Sequence, residues 1–135
     1  MLGEMISESS GKLTGVKVLP VEGPAPKLEV PLQGAGKLLG QSMTEFITYW
    51  QTVRPGGELY GEGQVVMMTE AGETVTWKGF GVGRPTDKGF AASYRVAGSY
   101  QTTSATLLRL NSVITVTDYE LDENGNYTAK EWEWK

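Results

Sequence analysis

Apolar and polar residues alternate with a period of two along most of this chain, the pattern of strands with one wet and one dry face. Lys12–Leu19 alternates and predicts a first strand, and Pro20, Pro24 and Pro26 then force a loop. Leu28–Gly40 predicts a second strand, interrupted at Pro31, Gly34 and Gly36 and therefore at an edge or bulged. In Gln41–Arg54 the residues Met43, Phe46, Ile47 and Trp50 fall at helical spacing. The β-branched and aromatic content of that stretch, its lack of caps and the Pro55–Gly57 turn after it favour a strand.

The central feature is a hairpin, Leu59–Thr69 and Glu73–Arg84, with glycine at alternate positions in both arms: Gly61 and Gly63, then Gly79, Gly81 and Gly83. A row of glycine inside strands marks sharp coiling, close backbone approach or space left for something. Phe90–Thr102 predicts the next strand. Ser104–Asn111 predicts a short helix with Ser104 as N-cap and Leu107, Leu108 and Leu110 as its apolar face. Val113–Leu121 and Tyr127–Trp134 predict a last hairpin around Asn124-Gly125, read as a two-residue type I′ turn. Residues 1–10 read as a polar arm ahead of a single domain, residues 11–135. About eight consecutive strands joined by short turns predict an all-β fold, a single up-and-down antiparallel barrel, with a sandwich as the alternative.

Turn geometry then decides which residues face in. A two-residue turn at Ala71-Gly72 pairs Glu70 with Glu73 and places Met68, Val66, Gln64, Glu62 and Tyr60 on the face of Val75, Trp77, Gly79, Gly81 and Gly83. That face is expected to be interior. The same register sets Tyr60 over Gly83 on this face and Phe80 over Gly63 on the other as aromatic–glycine pairs. If Arg84 pairs with Phe90, Ser93 lies beside Gly81 and Arg95 beside Gly79, so that Glu62 and Arg95 reach toward each other. The candidate ligand-binding residues are therefore Glu62, Gln64, Arg95, Tyr60 and Trp77. A structural ion pair is the competing reading, and a one-residue slip would send the whole set outside. Similar counting puts Leu121, Tyr119, Thr117, Trp132 and Trp134 on one face of the last hairpin. Asp118, Glu120, Asp122, Glu131 and Glu133 fall on the other, read as a solvated outer stripe.

Composition removes whole classes of chemistry. The chain has 135 residues, no cysteine and no histidine, which excludes disulfides, thiol catalysis and His-based metal or acid–base sites. No catalytic residue, cofactor or metal site is assigned. A net charge of −4 argues against nucleic acid. No apolar run approaches the ~18 residues of a membrane span, and the acidic N-terminus lacks the layout of a secretion signal, so a soluble cytoplasmic protein is expected. GAGKLLG (Gly34–Gly40) lacks the following helix of a dinucleotide loop and reads as a kinked strand. DENGN (Asp122–Asn126) reads as a turn, not a calcium loop.

The succession GEGQVVMMTEAGETVTWKGFGVGR, a further strand, SATLLRLN and a terminal hairpin, over Leu59–Trp134, resembles small eight-stranded barrels of the allene oxide cyclase-like and calycin-like type. It is nearest to an uncharacterised bacterial barrel family. The resemblance implies an internal cavity and often an oligomer, and carries over no catalytic residue. Non-enzymatic binding of a small, largely apolar ligand is the leading expectation, in a cavity of a few hundred Å3 as is usual for such sites. The alternatives are a cyclase or isomerase acting on a lipid-like substrate, with Glu62 or Tyr60 polarising it, and an oligomeric structural or interaction protein whose barrel is filled by side chains such as Trp77 and Met68. A homo-oligomer is expected in any case.

Overall fold

In the computed structural model, which describes all 135 residues, nine strands form one antiparallel sheet. They are β1 (Leu2–Leu13), β2 (Lys17–Val18), β3 (Lys27–Leu38), β4 (Gln41–Val53), β5 (Leu59–Thr69), β6 (Thr74–Pro85), β7 (Ala92–Gln101), β8 (Ile114–Leu121) and β9 (Asn126–Trp134). The order β1-β9-β8-β7-β6-β5-β4-β3 closes by pairing of β1 with β3, and β2 is a two-residue addition on β3. The fold is thus a closed eight-stranded barrel, and closure leaves it no unpaired edge.

Residues 1–10, read from sequence as an arm, belong to the strand that closes the barrel. Ser7–Leu13 of β1 pair with Leu38–Leu32 of β3, while the other side of β1 pairs with β9. Polarity misled because the inward side chains here are Ser7 and Ser9, both buried. Glycines make the closing seam tight. Gly11 faces Gly34 and Ser9 faces Gly36, and a Cβ at Gly36 would overlap the Glu8 carbonyl oxygen. Pro31 lies just past the end of the β1–β3 ladder, where its carbonyl still accepts from the Thr14 amide (2.9 Å).

Ser104 holds the N-cap position of a 3-10 helix over Ala105–Ser112 and its carbonyl accepts from the Leu107 amide (3.0 Å), but its side chain makes no capping hydrogen bond. Asn111 instead pins it to the end of β7: the Thr102 amide donates to Asn111 Oδ1 (2.8 Å) and Asn111 Nδ2 donates to the Thr102 carbonyl (3.0 Å). Leu107 and Leu110, three apart and so on one side of a 3-10 helix, plug one end of the barrel against Ile6, Leu38, Trp77 and Tyr100. Leu108 is exposed. A second cluster, with Val30, Leu32, Leu59, Tyr94, Tyr119 and Tyr127, fills the other end.

The hairpin turns correct the expected facing. Thr69 pairs with Glu73 across Glu70-Ala71-Gly72, and Asp122 with Asn126 across Glu123-Asn124-Gly125; both loops have three residues, not two. The third residue is glycine at φ +84° and +83° respectively, the left-handed position that ends this loop type. Thr69 Oγ1 accepts from the Glu73 amide (3.1 Å), and Asp122 Oδ1 accepts from the amides of Asn124 and Asn126 (2.9 Å each). The extra residue shifts each register by one. In each hairpin the face of one strand, β6 or β8, therefore agrees with expectation, and the face of its partner, β5 or β9, is reversed.

Candidate functional site

The reversal takes apart the site expected from sequence. Leu59, Gly61, Gly63, Val65 and Met67 of β5 face inward, opposite Gly83, Gly81, Gly79, Trp77 and Val75. Tyr60, Glu62, Gln64 and Met68 lie on the outer face, opposite Val82, Phe80, Lys78 and Thr74. Tyr60 rests beside Trp50 and Phe80, lies under the Arg54 guanidinium at 4.2 Å, and donates to Glu62 at 2.7 Å. Arg95 is also outside, opposite Val82, and pairs with Asp118 (3.2 Å) and Glu120 (4.0 Å), not with Glu62. Of the five expected site residues only Trp77 has its side chain in the interior. Neither aromatic–glycine pair expected from sequence forms; instead the Trp77 ring covers Gly79 and Gly98, where any Cβ would collide with it.

The interior holds two carboxyl groups that sequence reasoning left out. Glu45 of β4 is 2% exposed and Glu131 of β9 is 4% exposed. The Tyr127 hydroxyl donates to Glu45 Oε2 at 2.7 Å. Glu131 Oε1 accepts from Ser7 Oγ at 2.8 Å and from the Tyr100 hydroxyl in a short hydrogen bond. Trp77 Nε1 donates to Thr115 Oγ1 (3.1 Å) beside this group. Burial raises the pKa of both carboxyls, with hydroxyl hydrogen bonds pulling part of the way back. The Glu45 charge pushes Glu131 further in the same upward direction. Asp118 and Glu120 do form an outer stripe, but Glu131 and Glu133 are on the inner face of β9. The tryptophans take the opposite side, with Trp134 58% exposed.

These carboxyls border a cavity of about 100 Å3, smaller than the few hundred Å3 expected. Ile47, Val65, Met67 and Val96 give it an apolar wall, Tyr49, Tyr94, Tyr119 and Trp77 an aromatic one, and Ser7, Ser9, Glu45 and Glu131 a polar floor. Glu62, Gln64 and Phe80 also border it, from the β5 and β6 wall. Gly61, Gly63, Gly79 and Gly81 border it as well, and their missing side chains let Trp77, Tyr49, Tyr94 and Val96 lie close against the β5 and β6 backbone. Burial also pushes the hydroxyl of Tyr49, which hydrogen-bonds Tyr119 at 3.1 Å, up to about 12, so the tyrosines are neutral donors.

A sequence signal for this arrangement exists. T-E-A-G (Thr69–Gly72) and D-E-N-G (Asp122–Gly125) each have a capping side chain first and glycine fourth, the preferences of a type I turn running into a left-handed residue. With three-residue loops, counting places Glu131 on the face of Tyr119 and Leu121. Glu45 carries no comparable mark, since both faces of β4 include aromatic residues.

The fold and this polar layer define a small closed barrel with a buried acidic interior. No protein-family model matches the chain, and no curated protein matches it in sequence. Solved structures do resemble it. A protein of unknown function from Clostridium acetobutylicum superposes with a TM-score of 0.83 at 13% identity, covering 98% of each chain. A protein of unknown function from Rhodopseudomonas palustris gives 0.79 at 16% identity over 99% of each chain. A beta-barrel like protein from Acinetobacter baumannii gives 0.78 at 17% identity, over 100% of this chain and 96% of that one. At such identities the likeness is one of fold, and these neighbours are themselves barrel proteins without an assigned function.

Proposed function

We propose that the barrel binds a small, compact, largely apolar molecule in its interior, without turning it over, and reads one polar group of that molecule with Glu45 and Glu131. The observation that carries this is the juxtaposition of two buried carboxyls with an apolar and aromatic cavity of about 100 Å3. The resemblance to allene oxide cyclase-like and calycin-like barrels supports an interior site, although the volume suits a compact molecule better than a long acyl chain.

Native mass spectrometry before and after organic extraction, with thermal denaturation against a panel of small amphiphiles, tests the proposal. A co-purified compound, or a melting temperature raised by panel members and no longer raised in Ala129→Phe, which adds a ring at a residue lining the cavity, is the expected result. No bound compound and no stabilisation by any member would overturn it.

The raised carboxyl pKa values favour a second reading, a proton-transferring isomerase or cyclase, because a neutral acid beside a carboxylate base is the pairing such chemistry uses. Its test is α-proton exchange of butanone in D2O followed by NMR. Exchange above the buffer rate that is lost in Glu45→Gln and Glu131→Gln supports it, and exchange at the buffer rate excludes it for this probe.

A further inference from the structure

The charge balance of the interior narrows the ligand class. The chain has twelve lysines and arginines, and none places its cationic group inside the barrel. Eleven are exposed; Lys27, half-buried, lies on the outer face with its ammonium 4.6 Å from the Trp50 ring. The groups that face Glu131 are Ser7 of β1, Tyr100 of β7, Thr115 of β8 and Glu45 of β4, and those that face Glu45 are Ser9 and Tyr127. All are hydroxyls except the two acids themselves. Hydroxyls donate or accept as required, so they satisfy hydrogen bonding whether the acids are protonated or not, but they supply no opposite charge. A carboxylate removed from water without a counter-charge is strongly disfavoured.

We infer that the ligand is a small protonated amine, an alkylammonium of about four or five heavy atoms, whose charge completes the interior that Glu45 and Glu131 leave unbalanced. The inference rests on the proposed reading of the barrel as a small-molecule binder. The size follows from the cavity of about 100 Å3, below the ~150 Å3 that takes benzene. An ammonium offers three donors to the carboxyl floor. Tyr49, Tyr94, Tyr119 and Trp77 line the same space, and aromatic rings attract a cation while giving its alkyl chain an apolar surface. An anion would meet two acids in a site with no cation to pair with it, the wrong charge for this interior. Binding to a protonated carboxyl is a proton exchange: the carboxyl O–H gives its proton to solvent, and the ammonium, intact, pairs with the resulting carboxylate.

Isothermal titration of the full chain with n-propylammonium chloride, propan-1-ol and sodium propionate tests this, at pH 6 in two buffers of unlike ionisation enthalpy. The amine is expected to bind at least tenfold tighter than the isosteric alcohol, and propionate not at all. The amine heats are expected to differ between buffers by the release of up to one proton, and Glu45→Gln and Glu131→Gln to lose at least tenfold in amine affinity, bringing the amine-to-alcohol ratio down toward one. Alcohol binding equal to or tighter than amine binding, or amine affinity unchanged in both variants, overturns the amine assignment and leaves the cavity reading standing. Failure of both amine and alcohol to bind counts against the amine and the cavity reading together. If the variants do not fold, the amine-to-alcohol ratio and the buffer dependence of the wild-type protein decide alone.

Discussion

Two tyrosine–glutamate hydrogen bonds of equal length, 2.7 Å, stand on opposite sides of the barrel wall. Tyr60 donates to Glu62 on the outside, and Tyr127 donates to Glu45 on the inside. The outer pair lies in solvent beside the Arg54 guanidinium, where the Glu62 hydrogen bond raises the Tyr60 hydroxyl above its usual range and the Arg54 charge opposes that rise. The inner pair is buried among Leu, Val and Tyr side chains, away from any cation. Burial raises both its carboxyl and its phenol above their usual ranges. The contact is the same, and the dielectric around it decides whether it is decoration or a site.

The largest difference is expected from truncation. Tyr127→Ala removes a fully buried ring that sits over Gly11 and Gly34, and should cost about 3–5 kcal/mol in urea unfolding, as other buried aromatic truncations do. Tyr60→Ala should leave the urea midpoint nearly unmoved. Next comes the turn that sets the facing. Gly125→Ala places a side chain at φ +83° and should cost about 1–2 kcal/mol, read from the same curves. Tyr127→Phe keeps the packing and deletes only the hydroxyl that serves Glu45, for about 1 kcal/mol. Tyr60→Phe should be silent.

The gentlest probe is pH. Glu45 and Glu131 have raised pKa values in the folded barrel, so on raising pH the unfolded chain loses these protons first. Their contribution to stability is whole below the ordinary glutamate range, near pH 4, and is lost as pH rises through the folded values. Melting curves between pH 4 and 9 should show this decline. Glu131→Gln and Glu45→Gln should flatten it and be more stable than wild type at pH 8, whereas Glu62→Gln should leave it in place. Outer Asp122 acts with the opposite sign, because the Asn126 amide and its neighbours hold its carboxyl below the usual range. Its contribution is lost on acidification, and Asp122→Asn should remove part of the acid limb only.

Much of the architecture was legible from the chain. The antiparallel order, the closed barrel, the helical turn before the last hairpin and the inward glycines of β6 follow from alternation, turn residues and the need to cover edges, whereas the first strand, expected at Lys12–Leu19, runs over Leu2–Leu13. The facing of β5, β7 and β9 was not. Trp132 and Trp134 beside alternating glutamates argued for tryptophan inside and acid outside, and the barrel does the reverse. Phe46, Phe80 and Trp134 are exposed, whereas Ser7, Ser9, Glu45 and Glu131 are buried, so hydrophobicity alone misorders the faces of this protein.

Local chemistry acts over a few residues: it specifies where a strand runs, where it turns, and that Gly72 and Gly125 end their loops in the left-handed region. Which side of each strand becomes the interior depends on one residue of register and on which face the closed sheet turns inward; in the closed barrel β1 runs along Gly34 and Gly36 of β3 and sets Ser7 against Glu131 and Ser9 against Glu45. The strands are written in the sequence. The acidic interior belongs to the closed barrel, because residues as far apart in the chain as Ser7 and Glu131 share a low-dielectric space only once it exists.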